Sequence, residues 1–158
     1  MIIKKALFII LAAALFIISG CSGAGVPLGS TEPPNATGSI DGQKIKLSRG
    51  SYHWEHKGLF STTATVADAA SPFQIAEELK PISVIQGAPA EIQFSDKSEP
   101  QLTAYLWKED ARGKELAIDE KQLTLPSEAG EYVVEVWAEW PNGNASYTFV
   151  VEVQITRD

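Results

Sequence analysis

A strictly alternating stretch near the C-terminus limits the fold more than any other feature of the 158-residue chain. In residues 131–140 every second side chain lies on the face that carries Tyr132 and Val134, and these side chains are apolar. The other face carries three glutamates, so we expect that face to be wet. The turn sequence PNGN at 141–144 follows, and residues 145–156 alternate again. Asn-Gly between two alternating runs predicts an antiparallel hairpin of two long strands.

The segments upstream of this hairpin also have the composition and length of short strands. Ser71 and Pro72 form the one clear helix start, because serine is a good N-cap and proline favours the first helical position; the helix is expected to reach Leu79. Residues 110–114 are expected to form a polar turn. The sequence therefore predicts an all-β fold. The predicted upstream strands are 44–47, 51–55, 60–68, 82–86, 90–95, 101–109, 115–118 and 121–125.

The approach to the hairpin contains Gly130-Glu131-Tyr132 after a leucine-bearing strand. This pattern resembles the corner before strand F of immunoglobulin-like and fibronectin-like sandwiches. The resemblance covers about residues 81–158 and implies an antiparallel sandwich, in which the Tyr132 hydroxyl bonds to nearby backbone. It also implies that Val134 stands where antibody domains carry a cysteine, so the sandwich has no disulfide. The simpler alternative is a strand-turn-strand unit with a core tyrosine.

The N-terminus has the layout of a secretory signal. Lys4 and Lys5 precede the apolar run 6–18, which is too short for a comfortable membrane span. The run ends in Ile18-Ser19-Gly20-Cys21. These residues resemble the lipobox of bacterial lipoprotein precursors. The resemblance implies that 1–20 is a removed signal peptide and that the Cys21 thiol carries diacylglycerol, with fatty acyl chains such as palmitate. The alternative is an ordinary secretory peptide with an incidental cysteine.

Charge and cysteine content exclude several classes of function. The chain has a net charge of −7, and without residues 1–20 it has 11 basic and 20 acidic side chains, or −9. An acidic chain is poorly suited to nucleic acid, which is bound through clustered Lys and Arg. Cys21 is the single cysteine, which excludes intramolecular disulfides and multi-cysteine metal sites. No cofactor is expected apart from the covalent lipid.

Residues 21–80 divide into two parts. Residues 21–39 are rich in Gly, Pro, Ser and Thr without apolar periodicity, which predicts a disordered tether. Residues 40–80 are expected to form a strand and short-helix extension that packs on the sandwich. This part contains GSYHW at 50–54, and the chain later has WPNGNASY at 140–147. Together they resemble small envelope lipoproteins of Gram-positive bacteria to which no activity is assigned.

Two groups of residues are candidates for a site. Trp107, Tyr105, Trp137 and Val133 are expected on the wet side of neighbouring strands, where they would form an exposed aromatic interaction face. The alternative is that residues 40–80 cover this face and make its aromatics structural.

The second group consists of His53, His56 and Asp68, which a bend after Glu55 would have to bring together to bind a metal. On a regular strand the two histidines point to opposite faces, so a polar strand end is the alternative.

Three functions follow from these patterns. The favoured function is a non-catalytic binding module of the cell envelope, lipid-anchored to the outside of the bacterial membrane, whose partner is an envelope protein or a cell-wall ligand. A second is an accessory structural subunit of an envelope assembly. The third is a metal-dependent hydrolase that uses His53, His56 and Asp68. Since no nucleophile motif, phosphate loop or framed carboxylate pair is present, we expect no enzyme and no catalytic residue.

Overall fold

The structure, a computed structural model, describes residues 29–58, 60–109 and 111–155. These residues form twelve strands and one short helix, α1 (Pro72–Ala76). The predicted signal peptide 1–20, which ends in Ile18, Ser19 and Gly20, lies outside the described residues. So does Cys21, which follows it. The strands are β1 (Ala36–Ile40), β2 (Gln43–Lys46), β3 (Ser48–Lys57), β4 (Thr62–Ala67), β5 (Ile82–Ile85), β6 (Pro89–Phe94), β7 (Gln101–Lys108), β8 (Ala111–Leu116), β9 (Ile118–Asp119), β10 (Gln122–Thr124), β11 (Gly130–Trp140) and β12 (Gly143–Gln154).

The strands form two sheets that pack face to face. The first sheet has the order β2-β1-β6-β10-β9, and the second has the order β4-β3-β12-β11-β7-β8. All pairs are antiparallel except β5, which runs parallel to the C-terminal half of β12. The all-β sandwich is therefore confirmed. The strands after residue 81 group as B-E-D and C-F-G, the arrangement of immunoglobulin-like sandwiches, with β6, β10, β9 in one sheet and β7, β11, β12 in the other.

The core lies between the two sheets, where each strand contributes its alternate apolar side chains. Tyr147 and Phe149 of β12 are its largest fully buried residues. The partner strand β11 contributes Val134, Val136 and Ala138, all fully buried. The core side expected from the alternation of both strands is therefore confirmed through residue 153, whereas Ile155 lies beyond the end of β12 and is exposed.

The β11–β12 hairpin is continuous from the pair Gly130–Val153 to the pair Trp140–Gly143. Its two-residue turn is Pro141-Asn142, so Gly143 is already paired and does not occupy the turn. Gly143 has a φ of 156°, and a Cβ there would lie 2.2 Å from the carbonyl oxygen of His53 on β3. The glycine of the PNGN sequence is thus needed for the close approach of β3.

The residues before 81 continue both sheets instead of forming an extension that only packs on the sandwich. The β1–β2 hairpin pairs through β1 with β6, and the β3–β4 hairpin pairs through β3 with β12. The predicted end of the tether at residue 39 is wrong, because β1 already begins at Ala36, a buried core residue. A Cβ at Gly38 would lie 2.9 Å from the Ile45 side chain, so this packing needs a glycine. Residues 21–28 of the tether are outside the described residues.

Helix α1 is the part of residues 40–80 that does pack on the sandwich. Ser71 and Gln74 form a reciprocal capping box, in which each side chain accepts a hydrogen bond from the backbone N–H of the other residue. The helix ends at Ala76, three residues before the predicted end. It lies against β3, β7, β11 and β12 on the outer face of the second sheet.

The predicted polar turn at 110–114 is wrong. Residues 111–116 form strand β8, which pairs with β7 from Lys108–Ala111 to Ala104–Leu116. The chain reverses instead near Glu109, whose φ is 49°. This difference places Arg112 on a strand at the outer face of the second sheet.

Candidate interaction face and cleft

A cluster of charged, aromatic and hydroxyl side chains lies on the outer face of the second sheet. Glu135 of β11 is at its centre and is only 2% exposed. One carboxylate oxygen, Oε2, accepts a hydrogen bond of 2.6 Å from Trp107 Nε1 and one of 2.7 Å from Arg112 Nε. The other, Oε1, accepts bonds from Arg112 Nη2 at 3.0 Å and from Ser146 Oγ at 2.9 Å. Four donors from three neighbouring strands therefore satisfy a buried carboxylate.

Arg112 connects this buried carboxylate to the protein surface. Its guanidinium binds Glu135 through two nitrogens, and 42% of its side chain is exposed. Its Cζ lies 4.9 Å from the ring centroid of Tyr105 and 5.1 Å from that of Trp137. Both distances are in the range of cation–π contacts. The two-point bond and the two rings together hold the arginine in one position.

The electrostatics of this cluster favour the charged forms of both partners. Burial alone raises the pKa of Glu135, but the hydrogen bonds from Arg112, Trp107 and Ser146 outweigh it, so its pKa lies below the ordinary 4.5. The hydrogen bond to Glu135 raises the pKa of Arg112 further, against the opposing effect of desolvation. The cluster is therefore a permanent ion pair at neutral pH.

The four residues predicted to form an aromatic face do lie on one face. Trp107, Val133, Trp137 and Tyr105 occupy outward positions of β7 and β11, and each is partly exposed. Helix α1 covers the adjoining area around Gly50 and Ser146, and Val150 beyond it is buried. The face is thus neither bare nor fully covered. A depression of about 330 Å³ remains between the start of α1 and the cluster.

The sequence did not indicate the two charged members of this cluster. Glu135 was expected to be solvated because it alternates with two other glutamates, and Arg112 was expected in a turn. Arg112 and Glu135 are 23 positions apart in the sequence. The pairing of β8 with β7 and of β7 with β11 brings them together.

The sequence also did not indicate a cleft of about 730 Å³ at the end of the sandwich where the described chain begins. Its wall contains Trp54 and Trp140, whose rings meet edge to face at 5.2 Å. Trp54 Nε1 donates to the Ser30 carbonyl oxygen at 3.0 Å, and Trp140 Nε1 donates to Ser98 Oγ at 2.8 Å. The two indoles are therefore held in place by the protein itself.

The rim of the cleft is polar. Arg49 Nη2 binds Glu32 Oε2 at 2.6 Å, and Arg49 Nη1 donates to the Pro33 carbonyl oxygen at 2.6 Å. Beneath the rim, the buried Tyr147 hydroxyl donates to the Pro34 carbonyl oxygen, and burial raises the pKa of this tyrosine. These bonds hold residues 30–35 against the folded body.

The three candidate metal ligands are not brought together. His53 and His56 belong to β3, where they pair with Val66 and Thr63 of β4 on opposite faces of the sheet. Asp68 follows β4, beyond the pair Tyr52–Ala67. His56 lines the 730 Å³ cleft, whereas His53 does not. Within the part of the chain that the structure describes, no group of three His, Cys, Asp or Glu is arranged to hold a metal ion.

Tyr132 forms the contact that the resemblance to immunoglobulin-like corners implies. Its hydroxyl donates a hydrogen bond of 3.1 Å to the carbonyl oxygen of Glu128, four residues upstream. A backbone bond of this kind defines the tyrosine corner. Tyr132 therefore has a structural role at the entry to β11.

These features define an all-β sandwich with an ion pair between aromatic rings on its outer face. Comparisons with models of protein families, with curated proteins and with solved structures give no match for this chain. Among the described residues, no helix is both long enough and apolar enough to span a membrane.

Proposed function

We propose that this protein is an extracytoplasmic lipoprotein, anchored to the bacterial membrane through Cys21, that acts as a non-catalytic binding module of the cell envelope. The observation that carries the binding part is the partly exposed Arg112, fixed between Tyr105 and Trp137 by a buried carboxylate. The anchor rests on the lipobox-like residues 18–21.

The composition of this face favours a protein partner. Tyr, Trp and Arg are the residue types most enriched among the side chains that dominate the energy of protein–protein interfaces. Arg112, Tyr105 and Trp137 supply one of each within about 5 Å. Because Glu135 already holds the arginine, little side-chain entropy remains to be lost on binding. The face therefore has both the chemistry and the preorganisation of an interface centre.

The test compares two variants of the full chain in envelope extracts. Trp137→Ala removes one ring of the face, while Ile85→Ala removes an exposed apolar side chain from a different strand. We expect a discrete envelope protein to be retained by the wild type and by Ile85→Ala, and to be reduced at least tenfold with Trp137→Ala, which corresponds to about 1.4 kcal/mol.

The same retention with Trp137→Ala would contradict this function for the face, provided the variant unfolds at the wild-type denaturant concentration. Recovery of a fixed, stoichiometric complex would instead favour the second candidate, an accessory subunit of an envelope assembly.

A further inference from the structure

The edges of the two sheets differ in how well they are protected against pairing with another chain. β2 carries two lysines, β9 has two residues, and β5 has four residues directly after a proline. β8 contains Arg112, Gly113 and Lys114. Short edges, charged edges and nearby prolines are the devices by which natural sheets avoid edge-to-edge association.

Strand β4 is the exception among the described edges. Its sequence, TTATVA, has no charge, no glycine and no proline, and its β-branched residues favour the extended conformation. Within the described residues its substantial contacts are with β3, and four of its six residues are exposed. Val66 is 63% exposed, and Phe60, just before the strand, is 96% exposed. A neutral strand with one bare edge and little packing of its own is suited to accept another strand.

We propose that β4 pairs antiparallel with β4 of a second copy of this chain, joining the two second sheets into one continuous sheet. A two-fold axis normal to the sheet creates this arrangement. Each residue of β4 then lies opposite a residue of the same face, and the residue on the axis lies opposite its own counterpart. A neutral strand can accept its own copy because no like charges meet along the new ladder.

The groups at the two ends of β4 are complementary under this symmetry. Lys57, which pairs with Thr62, lies at one end, and Asp68 follows the other end. Antiparallel pairing brings the Lys57 end of one copy to the Asp68 end of the other, twice per dimer. An axis at Thr63 would place the exposed Phe60 of one copy opposite the exposed Val66 of the other, whereas an axis at Thr65 would place Asp68 opposite Thr62, the neighbour of Lys57. Either register therefore favours a second copy over an unrelated strand.

This self-association goes beyond the proposed binding function and uses a different edge of the molecule from the Arg112 face. Six residues of pairing give a small interface, which by itself is expected to be weak. Lipid anchoring would confine the copies to a surface and raise their effective concentration, as linking does for other weak contacts.

The test is cysteine cross-linking of the full chain in bacterial membranes. Thr63→Cys, Ala64→Cys and Thr65→Cys are treated with a mild oxidant and separated on a non-reducing gel. Only a residue on the two-fold axis lies opposite its own counterpart, with Cβ atoms about 4.5–5.5 Å apart, close to the range of about 3.5–4.5 Å in which a disulfide forms. We expect a covalent dimer at one of the three positions, at least tenfold above Ala111→Cys, the matched substitution on the opposite edge of the same sheet. The wild type, whose cysteine would be acylated, is expected to give no dimer.

A second pair of variants keeps the proposal falsifiable. Val66→Lys places a cation toward the partner's Lys57 end and is expected to lower the cross-link about tenfold, whereas Val66→Glu is expected to retain or increase it. The proposal is overturned if none of the three positions exceeds Ala111→Cys, or if the Lys and Glu variants behave alike. A dimer formed by the wild type through Cys21 would contradict lipidation and leave the comparison along β4 intact.

Discussion

At the scale of single residues, Glu135 and its donors show how an acidic side chain is accommodated under an otherwise aromatic surface. A buried ion pair is costly unless its remaining hydrogen-bonding positions are satisfied. Here Trp107 and Ser146 supply the donors that Arg112 does not. The arrangement therefore fixes the positions of the side chains around Glu135.

Glu135→Gln is expected to alter the pH dependence of stability. Because the folded-state pKa of Glu135 is lowered, its contribution is present above about pH 4.5 and is lost as the pH falls through the folded-state pKa. The wild type should therefore lose more unfolding free energy between pH 5 and about pH 3 than the variant does. Urea denaturation at several pH values measures this, and parallel curves for both proteins would contradict it.

Thr148→Val is expected to stabilise the protein. Thr148 is fully buried, and its Oγ1 has no hydrogen-bond partner within the described residues. Valine has nearly the same shape and removes the unsatisfied hydroxyl, so the free energy of unfolding should rise by about 1 kcal/mol. Ser146→Ala is the contrasting variant, because its hydroxyl donates to Glu135, and its stability should fall. A loss of stability in both variants would contradict this account of Thr148.

At the scale of elements, the sequence predicted those strands whose apolar side chains alternate with polar ones. The β11–β12 hairpin, β6 and β7 follow this pattern. The start of α1 was predicted from a different feature, its N-cap Ser71 followed by Pro72. β1 was missed because its inward residues include Ala36 and Gly38, which are too small to appear as an apolar period. Residues 111–114 of β8 were missed because they are exposed, so hydrogen bonds to β7 hold this part of the strand in place with little burial.

Gly143→Ala is expected to destabilise the hairpin and its contact with β3. The added Cβ would lie 2.2 Å from the His53 carbonyl oxygen, and the backbone has a φ that alanine rarely adopts. We expect a loss of about 2–3 kcal/mol in chemical denaturation. Gly42→Ala is the matched control, because Gly42 has a positive φ but no atom within 4 Å of the added Cβ. An equal loss of stability in the two variants would contradict the claim that the close approach of β3 requires Gly143.

At the scale of the whole molecule, the sequence predicted a sandwich but not the lateral growth of its sheets. Strand order along the chain does not reveal which free edge a hairpin joins, since that depends on contacts between distant residues. β1 pairs with β6 across about 50 residues and β3 with β12 across about 95. The four aromatic-face residues do lie on the same face of the second sheet. The Arg112–Glu135 ion pair at its centre depends on the pairing of β8 with β7 and of β7 with β11, which the sequence does not reveal.

Cys21→Ala is expected to abolish the attachment of lipid to the protein. If Cys21 carries two acyl chains, these supply the two hydrophobic anchors that stable attachment requires. The variant should lose the lipid and appear in the soluble fraction or remain as an unprocessed precursor. Membrane fractionation with metabolic fatty-acid labelling measures both outcomes, and unchanged labelling of the variant would contradict the assignment of Cys21.

If Cys21 is lipid-anchored, the place where the described chain enters the sandwich determines which end of the molecule faces the bilayer. Gly29 lines the cleft beside the β11–β12 turn and is eight residues from Cys21. Fully extended, that length of chain spans about 28 Å. A lipid on Cys21 would therefore keep the cleft within one small-domain diameter of the headgroups. Small molecules, lipid headgroups and extended peptides could then reach the cleft from the side, whereas a folded domain wider than that gap could not.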